Sequence, residues 1–382
     1  MSSLTKKRIL FSGGGTAGSV SPLLAIYDEI TSPPTPLHPE YSGWRGEAGV
    51  RCDYEFLWIG TKYGVERIMV EKENIPFKAI HSGKLRRYFS LKNVSDIFFL
   101  KLGFFQSLYI MLKWRPSLAM SAGGFVSVPV VFAAWCLRVP IIIHQQDIRP
   151  GLANKLMAPF AKIITVTFEK SLADYGKKAV WTGNPARKVL KTRNSKLVTQ
   201  NFFNGADLPV LLVVGGGTGA IFINNLAAES INELASFCQI IHVTGKNKSK
   251  ITNQKSQIKN YYPFEFLPAE EIALVMKKAD LIITRAGMSF LTELSIIGKP
   301  SIIIPIPDSH QSDNAGYFAE REAAVVLDQA GLNKEKFIAQ IKKLLADAKT
   351  REKLSANISR VMKPGAAGEI AEIVKKNISG RI

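Results

Sequence analysis

Short, continuous apolar runs bounded by glycine, proline or small polar residues recur along the chain, separated by stretches whose apolar residues return every third or fourth position. A run without polar alternation fits a strand covered on both faces, as in a parallel sheet flanked by helices, and the longer spacing predicts an amphipathic helix. Residues 8–11, 54–59, 118–121, 141–144 and 163–167 read as strands of a first half, and 210–214, 239–243, 281–284 and 301–305 as strands of a second. Helices are expected at 22–30, 97–114, 269–278, from Met288 through Glu293, at 334–345 and 350–361, and in an amphipathic tail at 366–382. The first strand runs into Ser12-Gly-Gly-Gly-Thr-Ala-Gly18 and a helix; at Val210 the pattern restarts with a strand, Gly215-Gly-Gly-Thr-Gly219 and a helix. Two similar α/β halves facing each other, parted by the polar stretch 194–207, is the economical reading.

The stretch 279–314 holds the most chemistry. Its two polar loops, 285–287 and 308–314, each follow a strand. Open parallel sheets bind ligands in the crevice outside the carboxyl ends of their strands. Glu293 lies about one and a half turns into its helix, near enough to that crevice for a carboxylate to accept hydrogen bonds from a sugar diol. The alternative is a helix acid favoured only by the dipole.

Gly13, Gly15 and Gly18 satisfy the G-x-G-x-x-G pattern, whose glycines let backbone amides approach an anion at a helix N-terminus. A nicotinamide site also needs an acid about 20 residues further on, at the end of the second strand. That strand ends in Gly60-Thr61 without one, after a Pro-rich insertion at 31–51 that reads as an exposed loop. The insertion serves equally as a structural hairpin or lid or as a partner site. Later turns bring Gly123-Gly-Phe-Val-Ser127, Gln145-Gln-Asp147 and Thr182-Gly-Asn-Pro-Ala-Arg187 to the same end of the sheet. Arg187 could fork onto a phosphate or stay solvated.

Residues 97–114 are apolar almost all round, yet Lys101, Gly103 and Gln106 interrupt them, so no apolar run approaches the roughly 20 residues that span a bilayer. Two readings stand. The segment is a buried core helix, or it belongs to an interfacial surface in which Tyr88, Phe89 and their apolar neighbours meet lipid while Lys84, Arg86, Arg87 and Lys92 meet anionic head groups.

Composition narrows the class. A chain of 382 residues, 46% hydrophobic, exceeds what one core usually holds. Its 50 basic against 31 acidic residues give +19, which points to phosphorylated substrates, an anionic membrane or nucleic acid. No RNA-binding aromatic signature, zinc-finger spacing or basic zipper is present, so no nucleic-acid partner is expected. Cys52, Cys136 and Cys238 share no metal-like spacing, which favours a reduced protein without disulfides. The start, two lysines running straight into a strand and a glycine loop, lacks a signal-peptide pattern, and a cytoplasmic location is expected.

Taken together, the loop Gly14-Gly-Thr-Ala-Gly-Ser-Val-Ser-Pro22, the run 123–127, the block His144-Gln-Gln-Asp147 with Gly151-Leu-Ala-Asn154, the turn Gly183-Asn-Pro185 with Arg187, the loop 215–220 and Arg285-Ala-Gly-Met-Ser-Phe-Leu-Thr-Glu293 resemble the MurG family in order and spacing. The likeness covers nearly the whole chain apart from 31–51. It implies an α/β GT-B fold: two Rossmann-like domains with parallel sheets facing across a cleft, at 1–190 and 205–364, and a C-terminal helix, 365–382, crossing back to the first. It implies an inverting, cofactor-free transfer of N-acetylglucosamine from UDP-GlcNAc to the C4 hydroxyl of undecaprenyl-pyrophosphoryl-MurNAc-pentapeptide (lipid I), at the cytoplasmic face of the cell membrane. By position, the backbone at Leu267 would hold uracil, Glu293 the ribose, and Gly217 and Arg187 the diphosphate. Met288, His310, Gln311 and Asn314 would fix the sugar, with Ser289, Phe290, Leu291 and Thr292 of the same motif and Asn154 of the first half also in the substrate set. Thr16, Ala17, Gly18 and Asp147 would face the transfer point.

Such a transfer passes through an oxocarbenium-like state, so the site must deprotonate the attacking hydroxyl and stabilise the leaving diphosphate. Glycine-loop amides and an arginine can do the second without a metal, and no Asp-x-Asp motif is placed to hold one. For the first, relatives have His where this chain has Ser19, Glu where it has Gln145, Asn where it has Asp147, and Ser-Gln at Gly217-Thr218. Ser19 alone is no base at neutral pH. Asp147 is the nearest substitute, expected either to orient or deprotonate the acceptor or to serve as an ionised binding carboxylate. Two other classes fit the same residues: a GT-B enzyme with another lipid acceptor or nucleotide sugar, and a nucleotide-sugar-binding protein that has lost its chemistry.

Overall fold

A computed structural model of the chain describes residues 6–32, 54–83, 92–187, 208–216, 220–245 and 258–379. Seven strands form the first sheet: β1 (Lys7–Ser12), β2 (Tyr54–Thr61), β3 (Phe77–Ile80), β4 (Leu118–Ser121), β5 (Ile141–Gln145), β6 (Ile163–Val166) and β7 (Ala179–Trp181). Their order is β3-β2-β1-β4-β5-β6-β7, with every pairing parallel. Six strands form the second: β8 (Val210–Val214), β9 (Gln239–Val243), β10 (Tyr261–Phe264), β11 (Leu281–Thr284), β12 (Ser301–Ile303) and β13 (Val325–Val326), ordered β10-β9-β8-β11-β12-β13 and again parallel. β4, β5, β8 and β11 are buried along their whole length, as their unbroken apolar character demands.

The chain reverses direction across each sheet between β1 and β4 and between β8 and β11, and the glycine turns follow those four strands. Both halves therefore open their topological switch points with glycine. Helices cover the faces: α1 (Ser21–Thr31), α2 (Val65–Lys72), α3 (Lys92–Trp114), α4 (Ser127–Cys136) and α5 (Leu152–Met157) in the first half; α6 (Ile221–Leu234), α7 (Ala269–Lys278), α8 (Met288–Ile297), α9 (His310–Ala319), α10 (Lys334–Ala346) and α11 (Ala348–Ile358) in the second. The last helix, α12 (Ala366–Ser379), returns to the first half and buries Ile370, Ala371, Val374 and Ile378 in the core beneath α1. The GT-B architecture expected from the sequence is thus the one observed.

Several local expectations are corrected. β12 stops at Ile303, and the loop expected to end at Asn314 ends at Ser309, whose hydroxyl caps α9 by accepting from the Gln311 amide. His310, Gln311 and Asn314 therefore sit on a helix. β3, β7, β10 and β13, short edge strands, had no counterpart in the sequence reading. Helix α3 starts at Lys92 rather than 97 and divides by face: Ser107 and Met111 are buried, whereas Phe98, Phe99, Phe105, Tyr109 and Leu112 are exposed. The insertion beyond Ser32, the residues Lys84, Arg86, Arg87, Tyr88 and Phe89, and Gly217 lie outside the described residues, and Lys92 is described only as the first residue of α3.

Candidate active site

The loop after β1 is held by close contacts that only glycine permits. A Cβ on Gly13 would lie 2.6 Å from the Ser19 carbonyl oxygen, and one on Gly14 would run into the Glu66 carboxyl. Glu66, fully buried, accepts from the Gly15 amide at 3.2 Å and the Thr61 amide at 2.8 Å, and also bonds the Thr61 hydroxyl. The second glycine turn packs on the first: Gly124 has φ +90, and a Cβ there would sit 2.5 Å from the Gly14 oxygen. Glu66 buttresses the whole loop. Sequence reasoning passed it over because it lies on α2, 51 residues from the amide it holds.

Ser19 is placed in this buttress rather than at the cleft. It is buried, and its hydroxyl donates to the carbonyls of Gly14 (3.3 Å) and Thr16 (3.2 Å), which removes it from proton transfer. Gln145 plays the same part for the next loop: its amide nitrogen donates to the carbonyls of Asp147 (2.8 Å) and Arg149 (3.1 Å), and its oxygen accepts from Asn154 (2.5 Å) and the Tyr175 hydroxyl (3.1 Å). Asn154 is likewise buried beneath the loop, its Oδ1 without a partner among the described residues.

Polar contacts close the two domains on each other. Ser289 donates to the Gly18 carbonyl at 3.2 Å. The Asn184 amide donates to the Thr292 hydroxyl at 2.7 Å, and Asn184 Oδ1 faces His144 Nε2 at 2.8 Å. Complete burial pushes His144 down to about 4, so it stays neutral near pH 7; with Asn184 accepting, Nε2 carries the proton. Asn314 makes two bonds across the seam. Fully buried, it donates to Asp147 Oδ1 (2.8 Å) and the Ala286 carbonyl (3.2 Å) and accepts from the Ile148 amide (3.1 Å). All its polar valences face protein, so in this closed arrangement Asn314 positions Asp147 and is not turned to a sugar.

Two hollows lie along this seam. One, of about 240 Å³, runs between Ala17, Gly18 and Ser21 of the first half and Gly216, Leu267, Gly287, Met288, Phe290 and Glu293 of the second. Gly287 caps α8 with no side-chain partner, so the first amides of that helix are open to an anion. The other, of about 730 Å³, lies between Gly124 and Phe125, Asp147, and Asp308, Ser309 and His310 at the start of α9. Gln311 turns back instead, its Oε1 accepting from the Ile306 amide, and Leu291 is packed in the second core. A third and larger hollow is lined by neither glycine loop.

Glu293 borders the smaller hollow. Its carboxyl is enclosed although the residue as a whole keeps intermediate exposure, and burial pushes its pKa up to about 7, with nearby Arg187 opposing. Arg187 itself is paired with Glu73 and lies 3.9 Å from Asp28. Two carboxylates neutralise it, so the expected fork onto a phosphate is not set up here.

Two Rossmann-like sheets that meet at a glycine-lined seam, with a smaller hollow bordered by Glu293 and a larger one bordered by Asp147, have the architecture of the GT-B class. The sequence matches the Glycosyltransferase family 28 N-terminal domain over residues 47–166 and the Glycosyltransferase family 28 C-terminal domain over 210–370. It is 38% identical over 348 residues, 88% of this chain and 91% of the relative, to a Clostridium kluyveri protein named UDP-N-acetylglucosamine--N-acetylmuramyl-(pentapeptide) pyrophosphoryl-undecaprenol N-acetylglucosamine transferase. The protein of that name from Clostridium botulinum is 36% identical over 97% of this chain and 99% of its own length. The fold is shared with Acinetobacter baumannii MurG (TM-score 0.70, 21% identity, 97% of this chain and 99% of that one). A Neisseria meningitidis UDP-GlcNAc 2-epimerase bound to UDP-GlcNAc superposes equally well (0.70, 14% identity, 97% and 100% covered). The chain belongs to the MurG family of glycosyltransferases.

Proposed function

We propose that this protein transfers N-acetylglucosamine from UDP-GlcNAc to the C4 hydroxyl of lipid I, forming lipid II for peptidoglycan synthesis, with inversion and with Asp147 as the group that receives the acceptor proton. One observation carries the reading. The Asn314 amide bonds both Asp147 Oδ1 and the Ala286 carbonyl, so the carboxylate of the acceptor hollow stands one amide away from the turn that opens the donor hollow. The first domain (1–190) supplies the acceptor side and the membrane face, the second (205–364) the donor side, and 365–382 ties them together.

In this scheme Glu293 takes the ribose hydroxyls, the backbone at Leu267 takes uracil, and the amides at Gly287 and Met288 stabilise the departing diphosphate. Asp147 faces the attacking hydroxyl from the opposite side, as an in-line displacement requires. Thr16, Ala17 and Gly18 shape the floor of the transfer point. His310 borders the acceptor hollow and in this scheme contacts the sugar as it passes to the acceptor.

The proposed association with the anionic cytoplasmic face of the membrane is supported by α3, whose Phe98, Phe99, Phe105, Tyr109 and Leu112 stand exposed on the same helix as the exposed Lys101 and Lys113. No helix among the described residues is long and apolar enough to cross a membrane. The test is incubation with UDP-GlcNAc and a lipid I analogue. A disaccharide product with stoichiometric UDP is expected. UDP release at the same rate without acceptor, or transfer to an unrelated lipid in preference, would overturn the assignment.

A further inference from the structure

The hollow that holds Asp147 does not end where the acceptor sugar would. Arg149, Pro150, Lys155, Ser312 and Asp313 line it and also line the larger hollow of about 1050 Å³, so the two form one trough along the domain seam. Its far end is walled by residues 170–178 of the first domain and by α9 of the second, and it leads away from the glycine loops. A volume of that order is at the upper end of what small-ligand pockets use.

Its charges are arranged along its length. Arg149 and Asp313 pair at 3.1 Å across the junction of the two hollows, with Arg149 largely exposed. Lys155 at the junction and Lys170 at the far end are exposed, and among the described residues neither is in an ion pair within 4 Å; the charges of Lys155 and Arg149 act on Asp174, a carboxyl that shares the trough with Glu320, against the burial that raises its pKa. Lys178 is instead spent on the carbonyls of Ala158 (3.2 Å) and Pro159 (2.7 Å), where it fixes the wall.

The proposed acceptor, on which this inference rests, gives the trough a purpose. In N-acetylmuramic acid the lactyl ether that carries the peptide is on C3, next to the C4 hydroxyl. With that hydroxyl at Asp147, the peptide must leave along whatever channel opens beside Asp147. The donor sugar occupies one side, and the trough is the other. Five extended residues span at most about 17 Å, and their free carboxylates would come to rest among the lysines.

We propose that this trough is a subsite for the stem peptide of the acceptor, with Lys155 and Lys170 receiving its carboxylates. Peptide recognition then strengthens acceptor binding at a distance from the reacting atoms, which raises kcat/KM by lowering KM.

The experiment compares two water-soluble muramyl-pyrophosphoryl acceptors, one with the pentapeptide and one with its lactyl group capped as a simple amide, on wild type, Lys155→Glu and Lys170→Glu. Wild type should prefer the peptide acceptor, and each variant should reduce the ratio of the two kcat/KM values about tenfold, mostly through KM. Both lysines are exposed, and an unchanged Kd for UDP-GlcNAc reports an intact donor site. A ratio that stays within twofold of wild type would overturn the proposal. So would equal kcat/KM values for both acceptors in wild type. Failure of wild type to use either acceptor, with donor binding intact, removes the lipid I reading itself and the subsite with it.

Discussion

Replacing Glu293 by glutamine tests whether the donor hollow is as enclosed as the geometry makes it. Burial raises this carboxyl from 4.5 to about 7, which at 1.36 kcal/mol per unit corresponds to about 3 kcal/mol, an upper figure because the residue keeps some contact with solvent. The sign follows from proton binding. The folded state holds the proton more tightly than the unfolded one, so this group favours folding most below about pH 4.5 and loses that contribution as pH rises through 7. Glu293→Gln keeps the shape and removes the titration. Urea unfolding at pH 5 and pH 8 should therefore show the variant gaining roughly 2–3 kcal/mol on wild type between the two conditions. UDP-GlcNAc affinity should move the other way. Wild type binds better as the carboxylate ionises near pH 7, and the variant binds weakly with a flat profile. Parallel stability profiles, within about 0.5 kcal/mol, would refute the enclosed carboxyl, since such a difference lies within the extrapolation error.

The clasp and the membrane face make separate predictions. Asn314→Ala leaves Asp147 without its donor and the Ile148 amide without its acceptor, each an unpaired group at a seam. A loss of about 1–3 kcal/mol, or 10- to 100-fold in kcat/KM, is expected with little change in UDP affinity by calorimetry; activity within twofold of wild type would count against the clasp. Phe105→Glu should lower binding to anionic vesicles at least tenfold in a flotation assay, since burying one such side chain is worth about 1.5–3 kcal/mol. Equal flotation of both proteins would move the membrane face elsewhere.

The sheets were legible because a strand buried on both faces must be apolar throughout, and β4, β8 and β11 announce themselves in this way. β3, β7, β10 and β13 stayed hidden: they lie at the sheet edges and are only partly buried, so nothing requires of them the fully covered apolar run that marks a central strand. Glycine turns were legible for a related reason, since their positive φ values and close backbone approaches leave few other residues possible. Side-chain commitments were not. Arg187 reads as a free cation in the sequence, yet Glu73, 114 residues away, claims it. Ser19 stands where the resemblance led to the expectation of a histidine, but its hydroxyl is turned into the loop. Asn314 was expected at the end of the polar loop 308–314 that follows a strand; Ser309 is a helix cap instead, and that moves Asn314 onto α9 and into the seam. The resemblance placed these residues near the site, and the hydrogen bonds decide which of them face substrate.

Asp147 is where the account is most exposed. The direct measurement is UDP release from UDP-GlcNAc with a lipid I analogue, wild type against Asp147→Asn, with donor affinity measured in parallel. The amide can still meet Asn314 through its oxygen, so the clasp survives while the base is gone. Acceptor-dependent release in wild type that falls by at least 100-fold in the variant, at unchanged donor Kd, is the predicted result, in line with the 10²–10⁴ that a positioned general base supplies. Full turnover by Asp147→Asn would contradict it and leave Asp147 as a binding carboxylate only.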